Sequence, residues 1–134
     1  MNTTERRRLR KLEKFLPTVY RERFDMGKYI SLRFCPPPLA KKILSHCGTS
    51  ACMLGWAAYL FPRLSSKTYV FAYLANDLFS IHPMTRDWDF LFNASWSLRD
   101  NSPEFAARRI SLYLEKGLPS SWCYYKPESE WEWL

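Results

Sequence analysis

Apolar positions in this chain recur at helical spacing, and no segment alternates apolar and polar residues as a half-buried strand does. Leu9, Leu12, Phe15 and Leu16 make one stripe, with Arg6, Arg7, Arg10, Lys11 and Lys14 on the other sides. This predicts an amphipathic helix to about Leu16, capped by Thr3 or Thr4 and carrying Glu5 in its first turn. Pro17 breaks it. Thr18 to Ile30 reads as a second, shorter helix with Phe24, Met26, Tyr29 and Ile30 on its apolar side. Pro36-Pro37-Pro38 predicts a polyproline II spacer within Ser31 to Ala40, followed by a turn over Ile43 to His46.

Ala51 to Phe61 carries no charged residue. A helix apolar on every side belongs inside a core, so a central helix is expected over about 50–61. It is entered through a Cys47-Gly48 turn, capped by Thr49 or Ser50, and closed by Pro62. Gly55 costs about 1 kcal/mol in a helix relative to Ala, which implies a neighbouring element, such as a helix, crossing closely there. Beyond it, Lys67 to Phe79 predicts a helix with Val70, Phe71, Leu74 and Leu78 on one face. Asp87 to Phe92 reads as a short helix with an acidic start. Ser102-Pro103-Glu104 opens a last helix that runs to Lys116 and buries Ala106, Ile110, Tyr113 and Leu114, with Gly117 in C-cap position. The expected fold is all-α: one domain of five or six helices over residues 1–117, then a tail over 118–134.

The tail sets Trp122, Tyr124, Tyr125, Trp131 and Trp133 among Glu128, Glu130 and Glu132. Disordered segments are poor in aromatic residues, so a surface is expected to receive it. That surface is either its own domain, with the basic first helix as one landing place, or a partner.

Charge sharpens the picture. The chain holds 20 Lys and Arg against 13 Asp and Glu, a net +7. Residues 1–42 carry 12 against 4, a net +8, and the remainder 8 against 9, a net −1. The positive field therefore acts through the N-terminal third. A basic amphipathic helix of this kind binds nucleic acid, acidic protein or anionic lipid, or is simply a solvated face. Its narrow stripe without Trp disfavours the membrane, and the apolar run before Pro62 is too short to span one. Nucleic acid is expected to bind weakly, at about 10⁻⁴ to 10⁻⁶ M.

Candidate chemistry is sparse. Cys47, ahead of a helix N-terminus, could be a thiolate nucleophile with His46 or His82 as base. The plainer reading makes Cys47 and Cys52 small buried hydrophobes. Cys35, His46, Cys47, Cys52, His82 and Cys123 suffice in number for a zinc site, but their spacing matches no paired knuckle, and no metal or cofactor is expected. Four scattered cysteines and no recognisable signal peptide imply a reducing, cytoplasmic setting.

Cys47-Gly48-Thr49-x-Ala51-Cys52-x-x-Gly55-Trp56-Ala57, preceded by Phe24-Asp25-Met26, resembles a motif of small phage and prophage proteins. The likeness extends over about residues 20–118, with Leu74, Leu78-Phe79, Leu91-Phe92 and Trp96 as a second apolar block. The proline-rich insertion and the aromatic tail depart from it. The resemblance implies a mobile-element origin and action inside a bacterial host cell, and it carries no catalytic residues. The expectation is a non-enzymatic protein that occupies a surface on a host protein or protein–nucleic acid complex, inhibiting a defence system or host enzyme. Its contact residues would be Arg6, Arg7, Arg10, Lys11, Lys14 and the tail aromatics. The alternatives are a basic nucleic-acid-binding accessory protein and a cysteine enzyme using Cys47.

Overall fold

The structure, a computed structural model, describes residues 1–29, 36–45, 49–68, 70–94, 100–122 and 127–133. Among them are seven α-helices: α1 (Thr3–Phe15), α2 (Ala40–Leu44), α3 (Met53–Leu60), α4 (Pro62–Ser65), α5 (Phe71–Phe79), α6 (Arg86–Phe92) and α7 (Pro103–Lys116). The all-α expectation holds. The two helices beyond its lower bound are α2 and α4, each too short to leave a periodic signal.

Asn2, rather than Thr3 or Thr4, caps α1. Its side chain accepts from the Glu5 N–H at 2.9 Å, while the Glu5 carboxylate accepts from the Asn2 N–H at 2.7 Å. Glu5 in the third helical position can answer only the residue at position 2, and this reciprocity selects the cap. Leu9, Leu12 and Leu16 are fully buried and pin α1 to α7, α5 and α3.

The expected helix over Thr18 to Ile30 does not form in the described residues. In its place are two 3₁₀ turns, Leu16–Thr18 and Arg21–Arg23, and an extended stretch bridged in parallel to the segment before α3. Asp25 N–H donates to Ala51 O at 3.0 Å, Ala51 N–H to Arg23 O at 3.1 Å, and Cys52 N–H to Lys28 O at 2.8 Å. The Asp25 carboxylate also accepts from the Gly27 N–H, a local turn that competes with helix. Pro36 is extended, but Pro37–Leu39 coils into a 3₁₀ turn that feeds α2, so over 37–44 helix replaces the expected polyproline spacer and turn, whose residues 31–35 and 46 lie outside the described residues.

The central helix is shorter than expected. Ala51 belongs to the bridge and Cys52 is the extended N-cap, so α3 starts at Met53, and neither Thr49 nor Ser50 caps it. Met53 to Ala58 are all buried. Gly55 does lie under a close crossing, made by non-helical backbone rather than by a helix: a Cβ there would sit 2.0 Å from the Tyr29 carbonyl oxygen. Pro62 closes α3 and also starts α4, and α5 begins at Phe71 rather than at Lys67. Val70 is 54% exposed and lies off the buried face assigned to it.

Thr85 and Ser102 cap α6 and α7 through their hydroxyls. Gly117 closes α7 at φ 75°, a conformation that glycine adopts without strain. Tyr113, expected inside, is half-buried, with its hydroxyl donating to Asp87 at 2.7 Å.

The described part of the tail packs on α6 and α7, not on the outward face of α1. Ser120 N–H donates to Glu132 O at 2.8 Å and Trp133 Nε1 to Gly117 O at 3.2 Å. Trp122 and Trp131 meet the Phe90 ring edge-on at 5.4 and 5.2 Å. Tryptophans of this size need an apolar floor, which Phe90 supplies and the solvated cations of α1 do not.

Candidate functional site

Two groups of cations differ in how the fold uses them. The first is the outward face of α1. Burying Leu9, Leu12 and Leu16 turns Arg6, Arg7, Arg10, Lys11 and Lys14 outward, where with Thr3 they line a groove of about 500 Å³. Arg6 Nη2 donates to Leu114 O at 2.9 Å, and Arg10 pairs with Glu13 at 3.3 Å. Lys11 Nζ lies 5.5 Å from the Phe61 ring centroid, and Arg7 and Lys14 are exposed. Arg8 turns the other way and donates to Leu78 O at 3.0 Å, tying α1 to α5.

Past the C-terminal end of this face lies an aromatic shelf that draws on distant parts of the sequence. One turn after Lys11, Phe15 stacks on Tyr59 at 5.8 Å and leans on Trp56 at 6.0 Å. Lys41 Nζ sits 4.0 Å over the Tyr59 ring, and the Arg23 guanidinium 5.1 Å over Trp56. Arg23 is fixed by donating to Thr49 O at 3.0 Å and Leu44 O at 2.8 Å, while Trp56 Nε1 donates to Arg23 O at 3.0 Å. Phe15, Tyr20, Arg23, Trp56 and Tyr59 line a pocket of about 160 Å³, and Tyr20 is 73% exposed at its rim.

The second group is one residue. Arg109 is buried among Phe90, Trp131, Phe105 and Trp122, its guanidinium carbon 4.4, 4.9, 5.6 and 5.9 Å from their centroids. Its Nε donates to Phe90 O at 2.7 Å. Burial lowers its pKa to about 9, against which Glu128 acts, and at neutral pH it is charged. This cage, with the Arg108–Glu128 pair at 2.8 Å, fastens the tail to α7.

Trp122 and Trp131 are therefore part of the core, and Trp133 is half-buried beside Lys116. Tyr124 and Tyr125 lie outside the described residues, as do His46, Cys47 and Gly48. The described residues of the central motif serve packing. Thr49 O receives Arg23, Gly55 admits the Tyr29 backbone, and Trp56 supports the shelf. Cys52 is buried, and burial pushes its thiol up to about 11, away from thiolate chemistry at neutral pH. Among the described residues no three His, Cys, Asp or Glu side chains cluster as metal ligands. Cys35, His46, Cys47 and Cys123 lie outside them. No helix among the described residues is long and apolar enough to cross a membrane.

Sequence reasoning found the α1 cations and missed the shelf and Arg109. The shelf has no local signal. Arg109 had one, because it follows the buried Ala106 by three residues on the stripe that continues through Ile110 and Tyr113. Comparison with known protein families, with characterised proteins and with solved structures returns no match.

Proposed function

We propose that this is a non-enzymatic binding protein whose working surface is the outward face of α1, which engages an anionic surface of a host macromolecule. The observation that carries the reading is five cations held outward along one capped helix whose Leu9, Leu12 and Leu16 are fully buried. Such a helix presents its charges in a fixed array, and a fixed array concentrates and orients an anionic partner. The self-packing of Trp122 and Trp131 supports the choice of α1 over the tail as the contact surface. The resemblance of the Cys47–Ala57 motif to phage proteins supports a bacterial host as the setting. Interference with a host defence system or enzyme is the consequence that such occupancy would have.

The test is paired affinity capture from bacterial lysate, using the wild type and the Arg7→Gln/Arg10→Gln/Lys14→Gln variant as baits. Capture that the triple variant loses supports the reading. An identical set of captured macromolecules on both baits contradicts it.

A further inference from the structure

We propose that the occupant of this surface is a single-stranded nucleic acid, its phosphates following α1 and one base seated in the ring-sized pocket at the helix's C-terminal end. The inference rests on the α1 reading above and names its partner. Three observations carry it.

The first is continuity. Phe15 follows Lys11 by one turn and stacks on Tyr59, with Lys41 over Tyr59 and Arg23 over Trp56, so the cationic face of α1 is followed at its C-terminal end by a cluster of rings and further cations. A basic track leading to an aromatic cluster is what a single strand uses, because its backbone is charged and its bases have unpaired π-faces, and the ring most open to solvent here is Tyr20. A duplex stacks its bases inside and leaves the cluster unused.

The second is size. The pocket of about 160 Å³ is bounded by Phe15, Tyr20, Trp56 and Tyr59, with Arg23 clamped in its wall. An apolar cavity of about 150 Å³ accommodates one six-membered aromatic ring. It takes a base, not a protein helix or a folded domain.

The third is spacing. Arg6, Arg10 and Lys14 follow at i, i+4 and i+8, as do Arg7, Lys11 and then Phe15. Each step advances about 6 Å along the helix, so successive cations meet successive backbone units of an extended strand. The last step of the second row exchanges a charge for a ring. An anionic membrane is a poorer match, because the apolar stripe of α1 is buried and leaves nothing to insert between lipids.

Fluorescence anisotropy with a labelled mixed-sequence dodecanucleotide tests this, using the same strand annealed as a duplex and labelled polyglutamate as comparison probes. The single strand is expected to bind in the range of about 10⁻⁴ to 10⁻⁶ M and to weaken steeply with salt. Tyr20→Ser, at a mostly exposed site, is expected to weaken the single strand about five- to tenfold, with an unchanged melting temperature and unchanged duplex binding. Tyr59→Leu, which keeps apolar bulk but removes the ring, is expected to act in the same direction. Single-strand binding that both variants leave intact would overturn the base-seating inference. Binding of polyglutamate but not the oligonucleotide would assign the surface to an acidic protein, overturning the inference and leaving the α1 reading in place. Binding of no polyanion, together with identical lysate capture, would overturn both.

Discussion

Arg109 and the arginines of α1 are the same side chain in opposite surroundings. On the outward face of α1, Arg7 and Arg10 stand largely in water, where a surface ion pair such as Arg10–Glu13 contributes a few tenths of a kcal/mol. At α7 one guanidinium is taken out of water and enclosed by four rings and the Phe90 carbonyl. Desolvation is costly, and the ring faces and the hydrogen bond offset it. What results is a local rivet. Remove it and the tail loses the group on which Trp122 and Trp131 close. Remove an exposed α1 cation such as Arg7 or Lys14 and the fold loses almost nothing, while a bound anion loses a contact. A cation's task in this molecule is set by whether the fold leaves it in water.

The sharpest way to break that contrast is Arg109→Ala. It removes a large buried side chain from among aromatic neighbours, and we expect a loss of about 3–4 kcal/mol. Thermal unfolding by circular dichroism would then shift down by roughly 10 °C. A variant that melts like the wild type would mean the cage is not what holds the tail.

Gly55→Ala probes the buried half without touching a charge. The new Cβ would meet the Tyr29 carbonyl at 2.0 Å and Ala51 Cβ at 2.6 Å, and backbone must move to admit it. The expected cost is about 2–3 kcal/mol in chemical denaturation. An unchanged midpoint would show that the backbone at Tyr29 is free to shift and that this side of the core is not tightly packed.

Cys52 is the acidic counterpart of Arg109, a titratable group whose burial favours its neutral form. The folded thiol keeps its proton up to about pH 11, whereas an unfolded one releases it near about 8.5. The native state therefore binds more protons between these values. Its contribution is complete below about 8.5 and is lost as pH rises towards about 11. The size of that loss is on the order of 3 kcal/mol. Cys52→Ala is expected to flatten part of this alkaline decline in urea midpoints. Tyr113, raised by burial and by Asp87, retains the rest. An identical pH slope in the variant would mean that Cys52 is reached by water.

The two halves of the contrast were unequally legible in the sequence. The elements α1, α6 and α7 could be read because their signals are local: an acidic first turn, a Ser-Pro-Glu start, and apolar residues at helical spacing. The stretch from Val19 to Tyr29 could not. Its backbone partners are Ala51 and Cys52, some 25 residues downstream, and propensity does not register a pairing at that distance. The α1 cations were visible as one face of one helix. The shelf was invisible because Phe15, Tyr20, Arg23, Lys41, Trp56 and Tyr59 become neighbours only when α1, α2 and α3 pack. Arg109 was passed over because a charged residue is read as exposed by default, although its position in the α7 stripe pointed inward.

The smallest expected effect on stability belongs to the variant with the largest expected effect on binding. Arg7→Gln/Arg10→Gln/Lys14→Gln should melt within about 0.5 kcal/mol of the wild type. The most direct test of the account is the slope of log affinity against log salt for the labelled dodecanucleotide, measured on this variant and the wild type. Each phosphate neutralised on a single strand contributes about −0.7 to that slope. Five cations predict about −3.5 for the wild type and the two left in the variant about −1.4, at an unchanged melting temperature. Equal slopes in the two proteins would contradict the assignment of α1 as the binding surface.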